Sequence, residues 1–278
     1  MTIRSLMAPA AAPTPAEGQA GKYGTVLPVR MQIIPSEGIA ARIQAAVPPG
    51  AQLTVTCLPR QGVGPTIRTA IELAYLGFEV VPHLAARSIE SREQLAGVVR
   101  NCHDAGITEV FAVGGDAGEP AGPYDSSLPL LEDLAEVSGG RIRAGVAGYP
   151  EGHPGHSELH MLDALLEKQH LASSVVTQLC LSAPRIQWYA QTLRREGVRL
   201  PVWAGVPGAV PRAQLIRAAL KIGVGPSLTL LNRRGPLGRR LLQDGRYSSE
   251  AIVAELQRGE AVEGIHLYTF NNLAGPGS

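Results

Sequence analysis

Polar side chains recur at one kind of place in this sequence, the carboxyl end of a short apolar run: Gln32, Thr56, His83, Asp116, Tyr149, Glu151, Gln178, Tyr268 and Asn271. Together they supply an imidazole, carboxylates, phenols, a hydroxyl and amides, the groups that move protons and hydrogen-bond a polar ligand. A Thr, a His, an Asp, a Tyr and a Gln at five successive run ends exceed what turns require. The set therefore reads as one site. A second constellation, His153, His156 and His160, has spacing that can ligate zinc. It begins in the Pro- and Gly-containing loop GHPGH with no cysteine or fourth ligand close by, so it is read as no metal site. The sequence contains no GxxxxGK[ST], GxSxG or HExxH. The turn GVGP occurs at 62–65 and 223–226, where backbone N–H groups can approach a phosphate.

The runs that must position these side chains are residues 29–35, 52–59, 78–85, 109–116, 143–151, 174–181, 201–208 and 264–271. They are rich in β-branched or aromatic residues and bounded by Gly, Pro or Asp, which predicts strands. Amphipathic segments lie between them. TIRTAIELAYLG puts Ile67, Ile71, Leu73, Ala74 and Leu76 near one face and ends at Gly77. SREQLAGVVRNCHDAG opens with Ser91 as its N-cap, and SAPRIQWYAQTLRREG carries Pro184 in its first turn. Eight strand–helix alternations predict an α/β fold, a single closed (β/α)8 TIM barrel. An open doubly wound sheet fits less well, because the first turn is IPSEG rather than GxGxxG. Residues 222–248 are the least regular stretch, expected to hold the end of the seventh barrel helix and an extra helix.

Composition bounds the rest. The 278 residues are 45% hydrophobic and 18% charged, enough apolar mass for a large core. Lys and Arg number 25 against 24 acidic residues, a net charge of +1, and aromatics are 4%. Neither a basic patch nor a base-stacking platform is expected, so no nucleic acid partner. No run of 18 apolar residues occurs, so no membrane span is expected. Cys57, Cys102 and Cys180 form no CxxC, which fits a reducing, cytoplasmic setting. Residues 1–24 are rich in Ala, Pro and Gly and read as a flexible tail rather than a signal peptide. Residues 25–278 form the barrel domain.

The same residues carry a resemblance. TVT (54–56), PHL (82–84), GGD (114–116), YPEGHP (149–154), TQ (177–178), PG (207–208) and HLYTFN (266–271) occur in the order and approximate spacing of the methylenetetrahydrofolate reductase family. The resemblance runs from about residue 29 to 272. It implies an FAD-binding (β/α)8 barrel that passes a hydride from NAD(P)H to flavin and then to the methylene carbon of a folate. It further implies cofactor-binding roles for Thr56, His83, Gly115, Asp116, Tyr149, His153 and Lys168, the last beside the FAD phosphates. Asp116 would be catalytic, its carboxylate stabilising a cationic iminium substrate. Gln178, Gln32 and Tyr268 would bind the folate.

Two positions depart from the family pattern. Gln32 stands where the family carries a glutamate, the expected general acid for opening the methylene bridge. An amide hydrogen-bonds but does not deliver a proton. Gly114 stands where many members carry Arg. Gln32 is the catalytic position in doubt, and it keeps alternatives open: a related flavin and folate oxidoreductase running oxidatively on methyl-tetrahydrofolate, or a non-catalytic folate- or flavin-binding subunit that needs a partner. A homo-oligomer is left open as well.

Overall fold

A computed structural model describes residues 26–59, 61–115, 118–222, 242–243 and 246–273. The expected tail at 1–24, Asp116 and most of the irregular 222–248 stretch lie outside the described residues.

Strands and helices alternate along the chain: β1 (Val29–Ile33), α1 (Ile39–Ala46), β2 (Gln52–Val55), α2 (Gly64–Tyr75), β3 (Glu79–Ala85), α3 (Arg92–Asp104), β4 (Glu109–Val113) and α4 (Ser127–Ser138). Then follow β5 (Arg143–Gly148), α5 (Glu158–Lys168), β6 (Ser174–Thr177), α6 (Ala183–Arg195), β7 (Val202–Pro207), α7 (Arg212–Ile222), the short antiparallel pair β8 (Leu242–Gln243) and β9 (Arg246–Tyr247), α8 (Glu250–Arg258) and β10 (Gly264–Tyr268). The eight long strands pair in parallel and close in the order β1-β10-β7-β6-β5-β4-β3-β2. This is the (β/α)8 barrel expected from the alternation.

The helices form where the apolar period and the caps agree. On α3, Leu95, Val98, Val99 and Cys102 are buried along one stripe, and the Ser91 hydroxyl accepts from the Gln94 N–H at 3.2 Å. On α2 the buried set is Thr66, Ile67, Ala70 and Leu73, with Pro65 in the first turn; Ile71 and Leu76 lie at the edge of the core. The predicted strands overshoot the ladders at β2, β5 and β6, so that Thr56, Tyr149 and Gln178 each stand one residue beyond a strand. That overshoot puts their side chains on the rim rather than in the wall.

The barrel interior is layered. At the amino-terminal end Arg30 donates to both carboxylate oxygens of Glu109 at 2.7 and 3.0 Å, and Arg143 donates to the same carboxylate at 3.1 Å. The Arg30 guanidinium also lies 3.9 Å from the Trp203 ring centroid. Above this plug sit Val81, Phe111, Val176 and Trp203. Above them, toward the carboxyl ends of the strands, the lining turns polar.

Candidate active site

The polar lining begins with β1 and its neighbour β10, which pair with Gln32 opposite Tyr268. Alternation along β10 sends His266 and Tyr268 inward. The Gln32 Oε1 lies 3.0 Å from His266 Nε2, and both residues are buried. Burial, helped by His83 and Arg30, holds the His266 imidazole well below its usual pKa, so the ring is neutral. With Oε1 accepting, Nε2 carries the proton and Nδ1 is bare; Nδ1 is buried without a hydrogen-bond partner. The Gln32 amide then directs its NH2 away from His266. The Tyr268 hydroxyl donates past β7 to the Thr177 carbonyl of β6 at 3.0 Å. Gly205 permits this, because a Cβ there would stand 2.1 Å from that carbonyl oxygen and 2.8 Å from the Tyr268 ring.

His83, on β3, packs edge-on against Phe111 at 4.7 Å and lies 6.3 Å from His266 between ring centroids. Burial pushes its pKa down to about 3, so this imidazole is neutral too. Its Nε2 is a buried atom without a hydrogen-bond partner, as are the hydroxyls of Thr54 and Thr56 on the adjoining β2 side. Such unsatisfied atoms are rare in native interiors and call for an explanation, a bound ligand among them.

Across the mouth, Tyr149 follows β5 and Gln178 follows β6; the Gln178 N–H donates to the Gly148 carbonyl at 2.7 Å, which ties the two tips together. The Tyr149 N–H donates to the Tyr189 hydroxyl of α6 at 3.1 Å, and a Cβ on Gly148 would stand 2.9 Å from that hydroxyl. The Tyr149 ring meets His153 edge-on at 4.8 Å. Rings of His153, His156 and His160 follow in a stack with centroids 4.8 and 4.7 Å apart. Stacked rings do not share a central point, and among the described residues no group of three ligands could hold a metal. The Cys180 thiol donates to Glu151 at 3.3 Å below this rim. A cavity of about 330 Å³ runs from the Tyr149 tip between α5 and α6, where Leu159, Arg185, Trp188 and Glu196 also line it.

Lys168 ends α5. It is 9% exposed, and its ammonium donates to the Ser127 hydroxyl at 3.1 Å at the start of α4. Burial lowers its pKa, and no described carboxylate lies within ion-pair distance. A buried ammonium without a counter-ion, set beside a helix N-terminus, is the chemistry an anion such as a diphosphate completes. Gly115 follows β4 in a left-handed conformation; Asp116 is outside the described residues. The unpartnered Thr56 and His83 atoms at the mouth and the uncompensated Lys168 at the flank fit the ring and the diphosphate of a flavin dinucleotide, respectively.

Residues 41–232, more than half of the chain, match the family model of methylenetetrahydrofolate reductase. The chain belongs to the methylenetetrahydrofolate reductase family. It is 24% identical over 214 residues to methylenetetrahydrofolate reductase 2 of Saccharomyces cerevisiae, covering 70% of this chain and 35% of that protein. It is 27% identical over 213 residues to the 5,10-methylenetetrahydrofolate reductase of Pectobacterium carotovorum subsp. carotovorum, covering 70% of this chain and 66% of that one. The chain therefore spans less than two-thirds of the length of either relative. Solved structures share the fold alone: 2,3-dimethylmalate lyase superposes with a TM-score of 0.55 at 9% identity, covering 89% of this chain and 77% of that one. Oxaloacetate acetylhydrolase gives 0.54 at 10% identity, covering 89% and 76%. Among the described residues no helix is long and apolar enough to cross a membrane.

For this member of the methylenetetrahydrofolate reductase family, the geometry gathers Gln32, Thr56, His83 and Tyr268 on one side of the mouth and Tyr149, Gln178 and His153 on the other. Lys168 stands at the start of α4, against Ser127. Three residues were not picked out as site residues from the sequence: His266, Thr269 and Tyr189. For His266 the signal was available, since it lies two residues before Tyr268 on one strand and so shares its face. Nothing local marks Tyr189, whose role depends on how α6 lies over β5.

Proposed function

We propose that this chain is an FAD-dependent oxidoreductase of one-carbon folate metabolism, reducing 5,10-methylenetetrahydrofolate to 5-methyltetrahydrofolate with NAD(P)H. The observation that carries the reading is the group of buried, unpartnered polar atoms at the mouth, Thr56 Oγ1 and His83 Nε2, on residues the family resemblance assigns to the flavin. The chemistry FAD supplies when bound is two-electron hydride carriage between NAD(P)H and the methylene carbon of the folate.

The chain's own residues orient the reactants and set the charge of the site. Thr56 and neutral His83 offer hydrogen bonds to the flavin edge without adding charge. Lys168, beside the first turn of α4, neutralises the diphosphate. Gln178 presents both a donor and an acceptor to the pterin. Asp116 supplies negative charge toward the cationic iminium substrate. Tyr268, tied to Thr177, forms a fixed wall. The Gln32 NH2 donates a hydrogen bond to a nitrogen of the methylene bridge and holds it; the proton that opens the bridge comes from solvent. Three free cysteines agree with a cytoplasmic setting.

Gln32 also favours a second reading, oxidation of methyl-tetrahydrofolate, because hydride removal from a methyl group needs no proton donor. Anaerobic incubation of the FAD-loaded protein with NAD(P)H and methylenetetrahydrofolate, followed by chromatographic analysis of the folates, decides between them. Net formation of 5-methyltetrahydrofolate supports reduction. Consumption only of methyl-tetrahydrofolate, with an added electron acceptor, supports the second reading.

A further inference from the structure

The turn after β10 is built in an unusual way. Phe270 and Asn271 both adopt positive φ, 50° and 59°, although neither is glycine. Such a conformation is unfavourable for a residue with a Cβ and persists only where the surroundings enforce it. Here they do. The Asn271 side-chain amide accepts from the Ile34 N–H at 2.8 Å and donates to the Ile34 carbonyl at 2.8 Å. It takes the place a neighbouring strand would occupy, just past the end of β1. The Asn271 carbonyl is held in turn by Arg42 at 2.9 Å.

Thr269 completes the clamp. Its buried hydroxyl accepts from the Asn271 N–H at 3.1 Å and donates to the backbone carbonyl of Gln32. Gln32 is thus fixed three times from one short segment: its side chain by His266, its carbonyl by Thr269, and the chain two residues on by Asn271. None of these contacts is needed to close the barrel, since the β1–β10 ladder already does so.

We propose that Thr269 and Asn271 are positioning residues, which set the height and amide plane of Gln32 at the mouth of the barrel. The proposal deepens the reading above, in which Gln32 faces the folate. An error of about 1 Å in such a group lowers turnover by as much as 100-fold.

Asn271→Gly is the decisive variant, because glycine relaxes the left-handed turn while deleting both clamp bonds. The first readout needs no activity: the protonated Nε2 of His266 in 15N-histidine-labelled protein. The variant is expected to broaden or shift this resonance, and Asn271→Asp, which keeps the acceptor but not the donor, to shift it less. The second readout is turnover. Asn271→Gly is expected to lower kcat for folate reduction about tenfold with the KM for NAD(P)H unchanged. In a Gln32→Ala background the same substitution should add no further loss. Thr269→Val, which deletes the hydroxyl at constant shape, serves if the glycine variant does not fold, with the same outcomes expected. An unmoved His266 resonance, or an undiminished loss in the Gln32→Ala background, overturns the proposal. A shifted resonance in protein that turns over no folate upholds the clamp and instead counts against the reading of the site.

Discussion

Two neutral imidazoles inside the barrel make stability depend on pH in a definite direction. His83 has a folded pKa of about 3, and His266 is also held well below its ordinary value. In the unfolded chain both titrate near about 6.5. The unfolded state therefore binds more protons between these limits. The associated stability is fully present above about pH 6.5 and is lost as the pH falls toward the folded value. With its folded pKa of about 3, the His83 imidazole costs about 1.4 kcal/mol per pH unit below 6.5, hence roughly 2 kcal/mol at pH 5. That is already a sizeable part of the 5–15 kcal/mol typical of a domain, and His266 shifts stability in the same direction. Urea unfolding at pH 7.5 and 5.0 measures this loss in the natural chain and in His83→Asn. The other six of the seven histidines, His266 among them, are common to both proteins and cancel in the difference. The variant is expected to start less stable but to lose about 2 kcal/mol less between the two pH values. An equal loss in both proteins would refute the claim that His83 is buried neutral.

Three further outcomes are expected. Gln32→Glu places a carboxyl in a buried site beside a neutral imidazole, where it stays protonated near neutrality, so folate reduction should rise by at least about tenfold; an unchanged rate would mean the proton comes from elsewhere. Lys168→Met removes a buried charge that has no ion-pair partner among the described residues, so the FAD-free protein should melt no lower while FAD affinity falls about tenfold or more, both read by titration and thermal melts. Glu109→Gln leaves Arg30 and its charge buried at the closed end of the barrel, and should cost about 3–5 kcal/mol in denaturant unfolding without altering the folate KM.

The barrel was legible because it is written in local terms. Alternating runs, Gly77 after α2, Ser91 before α3 and Pro184 in the first turn of α6 all follow from backbone chemistry within a few residues. The tips were legible too, since a polar residue ending an apolar run must reach the rim. What escaped depends on approach between distant segments. The Gln32–His266 pair joins residues 234 apart in sequence, and the Asn271 clamp on Ile34 joins residues 237 apart. For Lys168 only the family resemblance pointed to a role; its burial against Ser127 joins residues 41 apart in sequence.

The account depends most on a redox ring lying against Thr56, His83 and Tyr149. The direct measurement is the visible spectrum of the protein loaded with FAD, taken without oxygen, before and after NADH and again after methylenetetrahydrofolate. Perturbed flavin bands that bleach with NADH and return on adding the folate are the expected result. A protein that leaves added FAD unperturbed, or a bleached flavin that the folate does not reoxidise, would contradict it.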